Sequence, residues 1–426
     1  MKPATQPADI RVPASDTLDV LLDGGSARKI DDTTGLNLAL GRVHGRPAAV
    51  FILREQPQSV ADLRRLRTFV ADAGARGDVL IGIHADTAVI DADGDAYEAQ
   101  ATLLHALGQA SRHVPYLAVS ASSQGGVNAL LCAQADAVFM LARAGALYLS
   151  GPDSVLAVRG LALDEQTLGG SQVHEAQSGL AARTCLHLVD ALLQLRRYAG
   201  LLDGGGRAAA ASPIDDEPVQ PALSTLRAGP HTPYDMRELI ANLADHADWF
   251  ETHAAYGGAV ITGLARLHGR TVGIVANDPG VNAASLDAEA CRKAAAFVEL
   301  CSRRRYIVLS IVDTPGFLPG PEQEAAGIVS AAQALIGAWS RSASKRITLL
   351  TGRALGGAGM AMGLGIPEFD RAALLAWPDA RIAASGSSHA PGMRANASNA
   401  LDIIEPSRTR AALARAIMPM QQRYGA

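Results

Sequence analysis

The sequence predicts an α/β fold made by tandem duplication of one domain, and three observations carry that prediction. Val272–Val275, Ile307–Val312 and Ile347–Leu350 are apolar, β-branched runs of strand length, separated by segments long enough for helices. That is the punctuation of βαβ units. The same order recurs earlier in the chain: LGRVHGRPAAVFI (40–52) aligns with LARLHGRTVGIVA (264–276), DVLIGIHAD (78–86) with YIVLSIVDT (306–314), and VPYLAVSASSQGGVNAL (114–130) with ITLLTGRALGGAGMAM (347–362). Chance reproduces one such match, not three in order at nearly constant spacing, so the repeat is read as a duplication. Finally, apolar residues make up 48% of the chain and aromatic ones only 4%. Cores filled by Ala, Leu, Val and Ile suit close packing of helices on sheets.

A chain of 426 residues is long enough for two domains, each with its own core. The expected boundaries are 1–202 for the first domain, 203–224 for a linker and 225–426 for the second, because DGGGRAAAASPIDDEPVQPALS is rich in Gly, Ala, Pro and Asp and has no periodicity. In the first domain, LDVLLD reads as a short helix stopped by Gly24 and Gly25. SVADLRRLRTFVADAGARG reads as an amphipathic helix with Leu63, Leu66, Phe69 and Val70 on its apolar side. Residues 97–110 are expected as a helix, ADAVFMLARAGALYLSGPDSV as two short strands, and LGGSQVHEAQSGLAARTCLHLVDALLQLRRYAGLL as a segment that begins with a turn and ends in a long helix. In the second domain, the helix and strand that follow PYDMRELI repeat the start of the first copy. RAALLAWPDARIAAS is strand-like, 386–392 is a loop and 408–421 a closing helix.

Composition removes several classes of function. A net charge of −4 offers no basic surface for nucleic acid. Cys132, Cys185, Cys291 and Cys301 show neither Cys-x-x-Cys spacing nor a disulfide framework, and the His residues show no ligand spacing. The acid-rich DTAVIDADGDA lacks the Gly and Glu positions of a calcium loop, so no metal is expected. With no leader-like apolar core at the N-terminus and no apolar run of membrane-spanning length, a cytoplasmic protein without membrane contact is expected.

No nucleophile elbow, zinc-protease helix or phosphate loop is present. His44 and His268 occupy the same turn, His-Gly-Arg, in the two repeats and are read as structural. What remains is a pair of backbone sites. Gly125 and Gly126 in one repeat, and Gly356, Gly357 and Ala358 in the other, follow a buried strand where a helix begins. Glycine there lets a ligand approach the main chain. Amides at a helix start can hold an anionic oxygen, one such donor contributing roughly 3 kcal/mol in a transition state. Tight helix-on-strand packing explains either pair alone equally well, whereas recurrence at matching places favours a site.

Longer motifs carry a family resemblance. VGIVANDPGVNAASLDAEACRKAAAFVELCSRRRYIVLSIVDTPGFLPGPEQEAAGI, and VDTPGFLPGPEQE within it above all, resembles the carboxyltransferase (β) subunit of biotin-dependent acyl-CoA carboxylases, especially the propionyl-CoA carboxylase β type. LLDGGSARKID, SGPDSV, LGGSQVHEAQSG, PYDMRELI, ALLAWPDARIA and IIEPSRTRAAL extend the resemblance over most of the chain. It implies two crotonase-type (ClpP/crotonase) domains in a homo-oligomer, a dimer or larger, with the active site between the first domain of one subunit and the second domain of its partner. It implies that Gly125 and Gly126 hold the enolate oxygen of an acyl thioester, on CoA or an acyl carrier protein, and that Gly357 and Ala358 hold the ureido oxygen of biotin. Gln124, Gly356, Phe317, Leu318, Pro319 and Gly320 would then bind substrate. Biotin would come on a partner, a biotin carboxylase or biotin carrier subunit, because no Met-Lys-Met attachment motif is visible. Carboxyl transfer between carboxybiotin and a thioester through the enolate needs no side-chain base, in keeping with the missing triad.

Three departures from the family pattern surround these places. HADTAVIDADGDA stands where family members carry a Gly-rich acyl loop, the connection after Phe51 is short, and HAPGMRANASNA replaces a longer helical segment. Two further readings therefore stand beside carboxyl transfer: biotin-independent decarboxylation of a malonyl-type or other carboxyacyl thioester, and a non-catalytic subunit that keeps the fold for assembly.

Overall fold

The computed structural model describes residues 14–54, 59–85, 94–202, 220–226, 234–364, 372–384, 393–394 and 402–417. The polar connection at 86–93, the stretch 203–219 of the expected linker, the loop at 386–392 and the end of the closing helix lie outside the described residues. The chain divides into two compact units, Met1–Gly200 and Leu201–Ala426.

Along the chain, the first unit is built from α1 (Ala14–Leu21), β1 (Arg28–Asp32), β2 (Leu36–Val43), β3 (Arg46–Leu53), α2 (Val60–Arg76), β4 (Val79–His84) and α3 (Gly94–His113). It continues with β5 (Tyr116–Ser120), β6 (Ser123–Gly125), α4 (Val127–Ala133), β7 (Ala137–Leu141), β8 (Ala146–Tyr148), α5 (Pro152–Arg159), α6 (Glu165–Gly169), α7 (Ser171–Ala176), β9 (Arg183–Cys185) and α8 (Leu188–Leu201). The main sheet runs β1-β2-β3-β4-β5-β7-β9. Its first three strands are antiparallel and the rest parallel. Helix α2 forms where the sequence reading expects it, because Ser59 and Asp62 close a capping box at its start and Gly77 ends it in the left-handed conformation. Its Leu63, Leu66, Phe69 and Val70 enter a core shared with Phe51 and Leu80 of the strands.

The second unit contains α9 (Pro221–Thr225), α10 (Met236–Leu243), β10 (Trp249–Thr252), β11 (Val260–Leu267), β12 (Arg270–Asn277), α11 (Ala288–Arg304), β13 (Ile307–Thr314), α12 (Pro321–Ala325) and α13 (Ile328–Arg341). After these come β14 (Arg346–Leu355), α14 (Gly356–Ala361), β15 (Ala372–Ala376), β16 (Arg381–Ala383), β17 (Met393–Arg394), β18 (Asp402–Ile403) and α15 (Thr409–Ile417). Its sheet path, β10-β11-β12-β13-β14-β15-β18, repeats the first unit strand for strand, again with an antiparallel edge of three followed by parallel strands.

The duplication reaches single residues. The β2–β3 and β11–β12 hairpins both turn on His-Gly with positive φ, 50° and 77° at His44 and Gly45, 48° and 72° at His268 and Gly269, as a two-residue hairpin turn requires. In the first unit the Asp23 carboxylate accepts from the N–H groups of His44 (3.0 Å) and Gly45 (2.7 Å) and from Arg196 Nη2 (2.6 Å). Asp245 does the same in the second, accepting from Gly269 N–H (2.8 Å) and Arg410 Nη2 (3.0 Å). Both histidines are thus turn residues.

Some elements differ from the sequence reading. LGGSQVHEAQSG, at whose start a turn is expected, holds the end of α6 and all of α7. It packs so tightly on β8 that a Cβ at Gly169 would lie 2.1 Å from the Leu147 carbonyl oxygen. Strands β1, β6 and β9 were not expected, being short or polar and defined by pairing rather than by an apolar run.

Candidate active site

In each unit the chain leaves the parallel sheet in the same way. In the first, β5 ends at Ser120, and β6 then pairs with β8 as a separate two-stranded parallel ribbon. In the second, one long strand does both jobs: β14 pairs with β13 and β15, and its last residues, Arg353, Ala354 and Leu355, pair with β16. Directly after the last paired residue comes a glycine with positive φ, Gly126 at 56° and Gly356 at 60°, and a short helix follows. Gly126 therefore corresponds to Gly356, a one-residue shift from the alignment of the two Gly-Gly pairs. Gly125 stands opposite Leu355, and Gly357 opposite Val127.

That shift changes which donors are open in the first unit. The Gly126 N–H is spent inside the ribbon on the Tyr148 carbonyl at 2.9 Å. In a parallel ladder the residue paired with Tyr148, Gly125, then turns its own N–H to the opposite side, away from β8. The open amides are that of Gly125 and, as the first helical residue of α4, that of Val127, which has no partner within the helix. Gly126 supplies the turn instead, with φ 56° and ψ −124°. Gln124, expected to bind substrate, is fully buried, and its side-chain amide donates to Ser122 Oγ at 2.8 Å. Its side chain braces the turn from inside.

Three residues that sequence reasoning missed stand beside Gly125. The Tyr148 ring lies where a Cβ on Gly125 would point, 3.1 Å from Cε2. Tyr148 Oη donates to Glu165 Oε1 at 2.8 Å, and Ser123 Oγ donates to Glu165 Oε2. Burial, with the Glu165 hydrogen bond and charge behind it, pushes the Tyr148 phenol up to about 12, so it stays protonated at neutral pH. No local spacing signals this trio, since its members come from β6, β8 and α6.

In the second unit, Gly357 is exposed and Ala358 fully buried, in α14. A Cβ at Gly357 would lie 3.3 Å from Phe317 Cε2, so the aromatic ring of the DTPGFLPG loop walls the turn. The loop is held in place by a parallel bridge: Leu286 N–H donates to the Gly316 carbonyl (3.0 Å) and Leu318 N–H to the Leu286 carbonyl (2.8 Å). Of the expected substrate residues in this unit, Phe317 meets the Gly357 turn. Leu318 belongs to the bridge, Pro319 is exposed, and Gly320 caps α12, its carbonyl accepting from Gln323 and Glu324. Behind the turn, Asp313 Oδ1 accepts from the N–H (2.9 Å) and Nε (3.1 Å) of Arg353, while Asn277 Oδ1 accepts the Asp313 N–H (3.1 Å). A Cβ at Gly352 would fall 2.2 Å from Asp313 Cγ, which explains the glycine in TGRALGG. Asp313 and Arg353 lie inside the quoted motifs, where sequence reasoning did not pair them.

Two α/β units of identical strand order each end a parallel strand in a left-handed glycine turn that opens a short helix. A family model of the carboxyl transferase domain matches residues 89–417, and the chain belongs to that family. It is 37% identical over 262 residues to the propionyl-CoA carboxylase β chain of Roseobacter denitrificans, covering 61% of this chain and 51% of that one. To the methylmalonyl-CoA decarboxylase α subunit of Veillonella parvula it is 31% identical over 290 residues, covering 66% and 56%. The chain spans about half the length of the curated relatives it matches. The solved structure of transcarboxylase 12S, a hexamer with hydrolysed methylmalonyl-coenzyme A bound, superposes with a TM-score of 0.85 at 26% identity, covering 95% of this chain and 88% of that one. The expected pair of crotonase-type carboxyltransferase domains is the fold observed.

Proposed function

We propose that this chain transfers a carboxyl group between biotin carried on a partner protein and an acyl-CoA thioester, by way of the thioester enolate. The observation that carries the reading is the recurrence of the left-handed glycine turn, Gly126 and Gly356, at the same place in both units. Carboxyl transfer stabilises two anions in turn, so one donor site in each unit matches its needs. In the first unit the Gly125 and Val127 amides take the thioester oxygen as it gains charge, with Gly126 setting their directions. In the second, the amides of Gly357 and Ala358 and the ring of Phe317 suit a flat bicyclic ring with one ureido oxygen, the room for it being what a side chain at Gly357 would fill. Biotin, when bound there, supplies the activated carboxyl group. The protein itself binds, orients and polarises.

An oligomer belongs to this reading. Helix α5 buries none of its own residues, and Leu149, Leu156, Val158, Leu161 and Leu163 in and around it are exposed, an apolar strip adjoining the Gly125 ribbon. Division into domains at 1–202 and 225–426 around a linker is part of the same proposal.

Decarboxylation is the second reading, favoured by the similarity to a methylmalonyl-CoA decarboxylase subunit and by the altered sequence at 84–96. The two separate in one experiment: purified protein with malonyl and methylmalonyl thioesters, on CoA and on acyl carrier protein, with and without a biotinylated carrier. Carboxyl transfer that requires biotin is expected. Carbon dioxide release without biotin would establish decarboxylation, and inactivity in every combination would favour a non-catalytic subunit.

A further inference from the structure

We infer that Glu165 is a positioning residue for the Gly125 donor, a carboxylate staple that joins β6 to β8 and fixes the direction of the open amide. The inference rests on the functional reading of the Gly125 turn and adds to it a device on residues outside that turn. One carboxylate oxygen takes the hydroxyl of Ser123 on β6, the other the hydroxyl of Tyr148 on β8 at 2.8 Å. These two residues lie on the same face of the ribbon, because Ser123 pairs with Ala146 and Gly125 with Tyr148. The staple therefore spans the strands on the face where Gly125 carries no side chain and the Tyr148 ring fills the space.

The ribbon needs such help. It has only three residue pairs and is separate from the main sheet, and a short two-stranded pair is marginal by itself. Two further supports come from the same stretch of chain that carries Glu165. His174 Nε2 lies 2.7 Å from the Leu147 carbonyl oxygen, and Gly170 bridges to Ala146. Those contacts hold β8 only. Of the side chains described here, Glu165 is the one whose carboxylate reaches both strands. It is itself exposed, so its contribution lies in geometry rather than in core packing.

The test compares wild type with Glu165→Ala, Glu165→Gln and Tyr148→Phe by thioester kinetics, thermal melting and hydrogen exchange. The reporter amide is Gly126, whose N–H is bonded to Tyr148 across the ribbon. Glu165→Ala is expected to lower kcat by roughly ten- to a hundredfold, with KM within about twofold and melting unchanged, and to speed exchange at Gly126. Tyr148→Phe should shift both in the same direction by less. Glu165→Gln, which accepts from one hydroxyl and donates to the other, should recover most of the loss. Unchanged kcat and unchanged exchange in Glu165→Ala and Tyr148→Phe would overturn the staple. Faster exchange with unchanged kcat would leave a structural brace and overturn the positioning role. A wild-type protein that turns over no thioester would sink the functional reading instead, and exchange at Gly126 would still decide whether Glu165 holds the ribbon.

Discussion

His84 ends β4 in the first unit with its ring fully buried against Phe51 and Tyr116. Tyr116 Oη donates to the Leu131 carbonyl at 3.2 Å and lies 3.4 Å from His84 Nε2, while Nδ1 is buried without a partner among the described residues. Burial pulls the imidazole down from 6.5 to about 4. The unfolded chain thus takes up this proton first as pH falls: the contribution is complete above about 6.5 and lost progressively from there toward 4, on the order of 3 kcal/mol in all. Urea unfolding of His84→Leu should show a shallower loss of stability than wild type across that window; parallel curves would contradict the assignment. Gly126 gives a second prediction. Its φ and ψ exclude a side chain without strain, so Gly126→Ala should cost roughly 1–3 kcal/mol in stability, visible as a lower melting temperature. An unchanged melting point would mean the turn relaxes freely. Neither residue announces this role in sequence: a His at a strand end and the second of two glycines look alike in many settings, and only pairing across β6 and β8 separates Gly126, the turn, from Gly125, the donor.

Among elements, the hairpin clamp is the clearest product of duplication. Burial works against the charge on Asp23 and Asp245, but hydrogen bonds from the turn amides and from Arg196 or Arg410 outweigh it and hold both carboxyls below the usual range. Their contribution is present at neutral pH and lost as pH falls through the depressed folded value. Asp245→Asn should cost roughly 1–2 kcal/mol at pH 7, with a smaller effect from Asp23→Asn, whose side chain is more exposed; equal stabilities to wild type would remove the clamp. The long apolar strands and helix α2 were legible because their periodicity and caps are local. The His-Gly turn was legible because it recurs. Strand β6, by contrast, is three residues, Ser-Gln-Gly, with no strand-forming side chains, and exists because β8 lies beside it. The two glycine turns were therefore readable to within a residue from glycines and motifs, and the Ser123, Tyr148 and Glu165 contacts beside the first were not.

For the whole molecule, the central claim is that one domain plan, used twice, provides two main-chain oxyanion sites that act in a single carboxyl transfer. The most direct test uses substitutions where the backbone itself does not demand glycine. Gly125 and Gly357 are not among the glycines with positive φ, and a methyl group at either meets only the ring of Tyr148 or Phe317. Labelled carboxyl transfer from methylmalonyl-CoA to a biotinylated carrier should be measured for Gly125→Ala and Gly357→Ala beside wild type, with melting curves for each. Neither substitution removes the amide: the added methyl crowds the turn, 3.1 Å from Tyr148 Cε2 or 3.3 Å from Phe317 Cε2, and a reacting group misplaced by about 1 Å costs on the order of a hundredfold in rate. Both variants are expected to lose transfer by about that factor while melting as wild type does; full transfer in either would show that one turn is packing alone and that the two-site account is wrong.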